Sequence, residues 1–174
     1  MKENYKSILL VSGLVILAAI TRLIDHPANF TPIMAISIFS GSLIPDKKIA
    51  MLIPISAMII SDLFLGFFLI SIFVYTSLII GIFIGRLIQN RVKFTNVVIS
   101  LILGSFIFFF ITNLGSWLTD PIYYPLTFES LQRCFYLAIP FYRNSILGDL
   151  IYGLTLFTAY KLSFKYLPVF NKYL

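Results

Sequence analysis

The chain has 174 residues, of which 59% are hydrophobic and only 11% are charged, and its formal net charge is +6. A soluble domain carries about 25% charged residues, and a surface with so few charges would expose large apolar patches to water. The composition therefore excludes an ordinary soluble domain and predicts one all-α integral membrane domain over residues 1–174. Basic cytoplasmic loops explain the excess of positive charge better than nucleic-acid binding does.

Six hydrophobic segments are predicted to cross the membrane, since a spanning helix needs about 20 mainly apolar residues. The second segment is short, and it follows Thr31 and Pro32, which suit the N-cap and the first helical position. We therefore expect this helix to begin below the outer membrane surface. The nearly continuous stretch 49–88 must hold two spans, with a turn near residues 66–71. The predicted spans are residues 5–23, 32–44, 48–67, 71–88, 96–117 and 146–162.

A polar, aromatic-rich segment separates the fifth and sixth predicted spans. Residues 131–142 follow it and are predicted to form a short helix at the membrane interface that ends at Pro140, because proline interrupts a helix. The expected architecture is six transmembrane helices, with a short second helix and an interfacial helix between spans five and six.

The basic residues are distributed unequally between the two sides of this arrangement. When the N-terminus is placed inside, only Arg22, Arg133 and Arg143 of the 13 Lys and Arg residues fall on the outer side. Cytoplasmic loops of membrane proteins carry an excess of Lys and Arg. We therefore expect a multi-pass protein of the inner (cytoplasmic) membrane with both termini in the cytoplasm.

Several polar residues are predicted to share a depth in the outer third of the membrane, judged from a rise of about 1.5 Å per helical residue. An ionisable residue inside a span is costly and indicates a function by default. Asp62 has two open interpretations. In the first, Asp62 contacts a ligand or serves as a protonation site. In the second it is structural: it forms an ion pair with Arg22 or Arg143, or it accepts backbone N–H bonds from residues 26–32.

The start of the second predicted span leaves backbone N–H groups inside the membrane, and such groups suit an anionic or carbonyl group of a ligand. Alternatively, Asn29, Thr31 and Asp62 satisfy these donors. The aromatic residues Trp117 and Tyr124 fit either an interfacial belt or the wall of a small-molecule pocket. The predicted substrate-binding residues are Arg22, His26, Asn29, Thr31, Asp62, Asn113, Trp117, Tyr124, Arg143, Asn144 and Asp149.

No catalytic residues, metal site or cofactor are expected. His26 and Cys134 are the only soft donors, whereas a metal ion needs three or more ligands. No nucleophile and base can be assembled from the sequence. Small residues recur at a spacing of four, as Gly81 with Gly85 and, more weakly, as Ser37 with Gly41. This spacing favours close packing of helices within the chain, with docking to another membrane subunit as the alternative.

Five strings carry a resemblance to a known family: HPANFTPIMAISIFSG (26–41), SDLFLG (61–66), TNLGSWL (112–118), YPLTFESLQRC (124–134) and PFYRNSILGDLIY (140–152). With them the chain resembles an uncharacterised family of small bacterial integral membrane proteins, and this likeness implies no particular activity. The chain is more distantly similar to S-components of energy-coupling factor transporters in its size, span number, orientation and outer polar site. Those six-helix proteins bind vitamins or metal-related micronutrients from outside and are driven by a transmembrane transducer and ATPases.

One feature departs from the S-component pattern. S-components often carry an Ala-x-x-x-Ala surface on their first helix for docking, whereas this chain has adjacent Ala18 and Ala19. The resemblance nevertheless implies a substrate-binding subunit that captures a small organic micronutrient, such as a vitamin, from the outer side. Its expected partners are membrane lipid, the small-molecule ligand, and transducer and ATPase subunits. The alternatives are a membrane enzyme or assembly factor acting on lipid-linked substrates at the outer face, and a scaffold whose polar cluster only holds helices together.

Overall fold

The computed structural model describes residues 13, 16, 20 and 23–166, together with the side chains of these residues up to Ser163. This part of the chain is all-helical, as the composition predicts. It contains five helices: α1 (Ile33–Leu43), α2 (Lys47–Leu65), α3 (Ser71–Leu87), α4 (Phe94–Thr119) and α5 (Phe128–Tyr166). Most of the first predicted span lies outside the described residues, so the number of six spans and the likeness to an S-component bundle stay predictions.

The shortest helix, α1, lies at the centre of the bundle. Its 11 residues extend about 16 Å along the helix axis, and every residue from Met34 to Ser42 is buried. The other four helices all contact it. Because α1 is surrounded on all sides, its sequence is apolar or small all round rather than amphipathic. This helix corresponds to the short second helix of the predicted architecture.

The closest helix contact joins α1 to α3 through small residues on both sides. A Cβ atom on Gly41 would overlap the carbonyl oxygen of Ile82, and a Cβ atom on Gly85 would overlap the carbonyl oxygen of Ile38. A Cβ atom on Gly81 would meet the side chains of Met34 and Ser37. The two small-residue pairs of the sequence therefore face each other, and the predicted packing within the chain is confirmed.

Two of the described helices, α2 and α4, are long and apolar enough to cross a membrane by length and composition, while α1 and α3 are shorter apolar helices. A side chain caps α2, because the Asp46 carboxylate accepts a hydrogen bond of 3.0 Å from the backbone N–H of Ile49. The helix ends before Gly66, whose φ of 97° suits a residue without a side chain. The chain then turns and α3 begins at Ser71, so the turn lies where the continuous apolar stretch predicts it.

Two local expectations are wrong. Pro140 does not end a helix, since α5 runs through it from Phe128 to Tyr166 as one helix of 39 residues. The separate interfacial helix is therefore the first part of α5. Aromatic contacts hold this part against α4, with ring centroids 4.6 Å apart for Phe109 and Tyr142. The N-cap of α1 is Pro32 rather than Thr31, and it offers no side-chain hydrogen bond.

Candidate functional site

A cavity of about 480 Å³ lies at one end of the bundle. Its wall comes from the loop before α1, the start of α3, the second half of α4, the loop after α4 and the first part of α5. We call it the α3–α5 cavity. Its apolar wall includes Phe108, Phe141, Val74 and Leu137. Its polar wall consists of Asn29, Thr112, Asn113, Ser116, Asp120, Tyr124 and Cys134.

The polar wall depends on a stripe along α4. Thr112, Ser116 and Asp120 are spaced four residues apart, which places them on one face of a helix. The two hydroxyl groups donate hydrogen bonds back to carbonyl oxygens of the preceding turn, Thr112 to Phe108 at 2.7 Å and Ser116 to Thr112 at 3.1 Å. Asp120 is the C-cap of α4 and begins the loop that leads to Tyr124. The stripe therefore contributes three oxygen-bearing side chains to the cavity wall.

Tyr124 and Cys134 lie side by side in the cavity wall, outside the six predicted spans. Burial raises the pKa of Tyr124, and the neighbouring Cys134 and Asp120 add to the rise while Arg133 opposes it. Burial also raises the pKa of Cys134, and a hydrogen bond with the Tyr124 hydroxyl partly offsets this rise. The Cys134 thiol donates to the carbonyl oxygen of Asn113 at 3.4 Å. Both groups are therefore protonated at neutral pH.

A second polar cluster surrounds the buried carboxylate of Asp149, which is 3% exposed. One oxygen, Oδ1, accepts a hydrogen bond of 3.0 Å from the backbone N–H of Ala35, and Oδ2 accepts one of 2.6 Å from the Ser105 hydroxyl. Ala35 is the third residue of α1, so Asp149 caps this helix from α5. The small void here, of about 10 Å³ and lined also by Asn29 and Thr31, is too small for an organic ligand.

Asp62 lies apart from both polar clusters. It is 3% exposed on the last turn of α2, and its Oδ2 accepts a hydrogen bond of 2.8 Å from the Tyr75 hydroxyl on α3. Neither the α3–α5 cavity nor the small void includes it. This bond joins α2 to α3, and its donor, Tyr75, is not among the structural partners that the sequence analysis considered for Asp62.

The family assignment comes from a match that covers nearly the whole chain. A model of a "Family of unknown function (DUF6580)" matches residues 2–170. The chain belongs to this family. Neither a curated protein nor a solved structure matches the chain. The resemblance to an uncharacterised family is thus confirmed as membership of DUF6580, while the likeness to S-components stays a prediction.

The structure of this DUF6580 protein brings only some of the predicted binding residues together. Asn29, Asn113 and Tyr124 line the α3–α5 cavity. Asn29 also lines the small void with Thr31 and Asp149, so the two polar regions are adjacent. The equal depth inferred for Asn113, Asp62 and Asp149 therefore does not translate into one shared site, although their roles in binding stay predictions.

The other predicted residues lie elsewhere. Arg143 is exposed, and Arg22 lies outside the described residues. Asn144 donates a hydrogen bond of 3.0 Å to the carbonyl oxygen of Ala28, which fixes the loop before α1 to α5. His26 forms a bond of 2.9 Å between its Nδ1 and the carbonyl oxygen of the next residue. Trp117 has a buried Nε1 atom that finds no hydrogen-bond partner in the part of the chain that the structure describes.

Four polar residues of the cavity wall are absent from the sequence-based set of binding residues: Thr112, Ser116, Asp120 and Cys134. The spacing of four between the first three is a signal that was present in the sequence. Cys134 gave no such signal, because its position depends on how α5 packs against α4. Among the residues that the structure describes, no three His, Cys, Asp or Glu side chains come together as metal ligands would.

Proposed function

We propose that this DUF6580 protein is a membrane-embedded binding protein that takes a small organic molecule from the outer side into the α3–α5 cavity. The observation that carries the proposal is the cavity itself. Its volume of about 480 Å³ lies within the range of about 300–1,000 Å³ that is typical of ligand pockets. Its wall combines aromatic rings with a few polar groups, as small-molecule sites do.

The exposed surface supports a membrane location. Large apolar side chains point outward along the end of α2 and the turn after it, including Leu63 at 67%, Phe64 at 77% and Phe68 at 66% exposure. In water such a surface would cause aggregation, whereas in a bilayer the acyl chains of the lipid solvate these apolar side chains. Together with the apolar helices α2 and α4, this surface favours insertion in a bilayer.

The distribution of charge supports an outward-facing cavity. The opposite end of the bundle carries the turns between α1 and α2 and between α3 and α4, and five basic residues lie there: Lys47, Lys48, Arg86, Arg91 and Lys93. Basic loops remain in the cytoplasm. The cavity end, where α3 begins and α4 ends, then faces outward. Under this proposal the protein is the binding subunit of an uptake system, with a transducer and ATPases as its partners.

Native mass spectrometry of the protein purified from its own membrane in a neutral detergent tests the proposal. We expect a bound small molecule on the wild-type chain. Ala138 lines the cavity and is 6% exposed, so Ala138→Phe fills the space that the ligand occupies. Thr158→Phe is the matched control, since Thr158 is exposed on the same helix. The bound mass should be absent from Ala138→Phe and present on Thr158→Phe.

Two results would contradict the proposal. The first is a wild-type protein that carries no bound molecule and shows no change in melting temperature with any member of a panel of vitamins and other small metabolites. The second is a bound mass that Ala138→Phe leaves unchanged. A lipid-linked molecule that Ala138→Phe displaces would instead favour an enzyme or assembly factor acting at the outer face. Co-purification of ATPase subunits tests the coupling separately.

A further inference from the structure

The hydrogen-bonding character of the cavity wall limits the kind of ligand that fits it. A hydroxyl group has one hydrogen and two acceptor lone pairs. The single hydrogens of Thr112 and Ser116 are already donated to carbonyl oxygens of α4. These two side chains therefore offer the cavity only acceptors.

Two neighbouring residues of the wall, Asn113 and Cys134, also donate hydrogen bonds to backbone carbonyl oxygens. Asn113 donates from Nδ2 to the carbonyl oxygen of Phe109 at 2.6 Å. Because a carbonyl can only accept, this bond fixes the amide orientation and leaves Oδ1 as an acceptor beside the second Nδ2 hydrogen. The thiol hydrogen of Cys134 is donated to the Asn113 carbonyl oxygen. In Thr112, Ser116 and Cys134 the side-chain hydrogen therefore bonds to a backbone carbonyl oxygen, and the hydroxyl oxygens of the first two remain as acceptors for the ligand.

The side chain of Asp120 contributes a negative charge to the cavity wall. Asp120 is the one charged side chain among the described residues of the cavity wall. Its Oδ1 accepts a hydrogen bond from the backbone N–H of Tyr123 at the long distance of 3.4 Å. An ionised carboxylate has about four acceptor positions and no donor. Asp120 therefore keeps most of its capacity for a ligand that brings N–H groups and positive charge.

The aromatic part of the wall matches the same ligand. Phe108, Phe141 and Tyr124 line the cavity together with Asp120, and the faces of aromatic rings attract cations. Arg133 also lies near this wall, and its lowering effect on the pKa of Tyr124 is larger than the raising effect of Asp120. Its side chain is exposed and does not belong to the cavity wall.

We infer that the ligand of the α3–α5 cavity is an organic ammonium ion or a related nitrogen cation, with N–H donors for the oxygen-rich wall and an apolar body for the aromatic rings. The inference rests on the proposed function and names the ligand class for the same site. It assigns Asp120 as the residue that selects for positive charge.

The native cysteine provides the test, since Cys134 is the single cysteine of the chain and lies in the cavity wall. The probes are two methanethiosulfonates of similar size, the cationic 2-aminoethyl and the anionic 2-sulfonatoethyl reagent. Each rate of modification of the purified protein at pH 7.5 is divided by the rate of the same reagent with free 2-mercaptoethanol. The ratio of the two normalised rates is independent of the thiolate fraction. We expect the cationic reagent to be favoured about tenfold or more.

Variants identify the source of this preference. Asp120→Asn keeps an acceptor for the Tyr123 N–H but removes the charge, so the ratio should fall to within about twofold of unity. Asp120→Glu should retain the preference. Asp46→Asn is the matched control, because it makes the same chemical change at the exposed N-cap of α2 at the other end of the bundle. It should leave the ratio unchanged.

The outcomes separate the two proposals. A wild-type ratio near or below one, with both reagents reacting, overturns the cationic ligand and leaves the cavity as a binding site. A large ratio that persists in Asp120→Asn overturns the role of Asp120 in selection. If neither reagent modifies the folded protein although both modify it in SDS, the cavity is closed and the proposed function fails as well.

Discussion

The carboxylate of Asp149 accepts a hydrogen bond of 3.0 Å from the backbone N–H of Ala35, which lies 114 residues earlier in the chain. The first N–H groups of a helix have no partner within the helix, and a buried one without any partner is destabilising. Pro32 at the N-cap position of α1 provides no side-chain acceptor. A residue of α5 therefore supplies what the local sequence lacks, and it fixes the central helix to the longest one.

Replacing this acceptor should destabilise the protein. Asp149→Ala leaves the Ala35 N–H buried without a partner, at a cost of about 1–3 kcal/mol, while the single hydrogen of the Ser105 hydroxyl can turn from Asp149 to the Leu101 carbonyl oxygen at 3.0 Å. Asp149→Asn retains an acceptor oxygen and should stay within about 1 kcal/mol of the wild type. Thermal unfolding in detergent measures the difference, with Thr158→Ala as an exposed control on α5. If Asp149→Asn destabilises as much as Asp149→Ala, the charge itself is needed.

The contact between α1 and α3 should not tolerate a single added methyl group. In Gly85→Ala the Cβ atom overlaps the backbone carbonyl of Ile38, so one of the two helices must move. We expect a loss of about 1–3 kcal/mol or more. Gly13→Ala is the matched control, because none of the described residues lies within 4 Å of its Cβ position. Its better helix propensity should leave the melting temperature equal or slightly higher. Equal melting temperatures for both variants would contradict the close packing.

The reactivity of Cys134 should depend on pH in a defined direction. Since burial raises the pKa of this thiol, its thiolate fraction stays low at neutral pH and alkylation accelerates only above the usual thiol value of about 8.5. The hydrogen bond from Tyr124 lowers the pKa of Cys134 in part, so Tyr124→Phe should move the midpoint to still higher pH. The measurement is the rate of iodoacetamide labelling between pH 7 and 10.5. A midpoint below 8.5, or a downward move in Tyr124→Phe, would contradict this assignment.

The orientation can be read from two exposed loops. In a Cys134→Ser background, Thr127→Cys places a thiol in the loop between α4 and α5, and Asn90→Cys places one between α3 and α4. The second loop lies among Arg86, Arg91 and Lys93 and is expected in the cytoplasm. A membrane-impermeant maleimide on intact cells should label Thr127→Cys alone, and permeabilised cells should expose both. Labelling of Asn90→Cys in intact cells would show that the protein has the opposite orientation.

Much of the fold could be predicted from periodicity and turn residues. The sequence indicates the short second helix and the turn before Ser71, because these depend on local apolar length and on Gly66. It wrongly predicts that a helix ends at Pro140. Packing of α5 on α4 overrides the local tendency of proline to end a helix. A local rule also suggests Thr31 as the cap of α1, whereas the acceptor comes from Asp149.

The candidate site was harder to predict than the fold. Depth along a helix places Asp62, Asn113 and Asp149 at one level but leaves open which way each side chain faces. In the structure they contact different neighbours: Tyr75 for Asp62, the cavity for Asn113, and Ala35 for Asp149. The rotation of each helix about its axis decides this, and it depends on contacts between distant segments.

An experimental density map of the protein purified from its own membrane would test the central claim most directly. The account predicts non-protein density of the size of a small organic molecule in the α3–α5 cavity, within hydrogen-bonding distance of Asn113 and Asp120. A cavity closed by its own side chains, or one occupied by an acyl chain that enters from the bilayer, would contradict it.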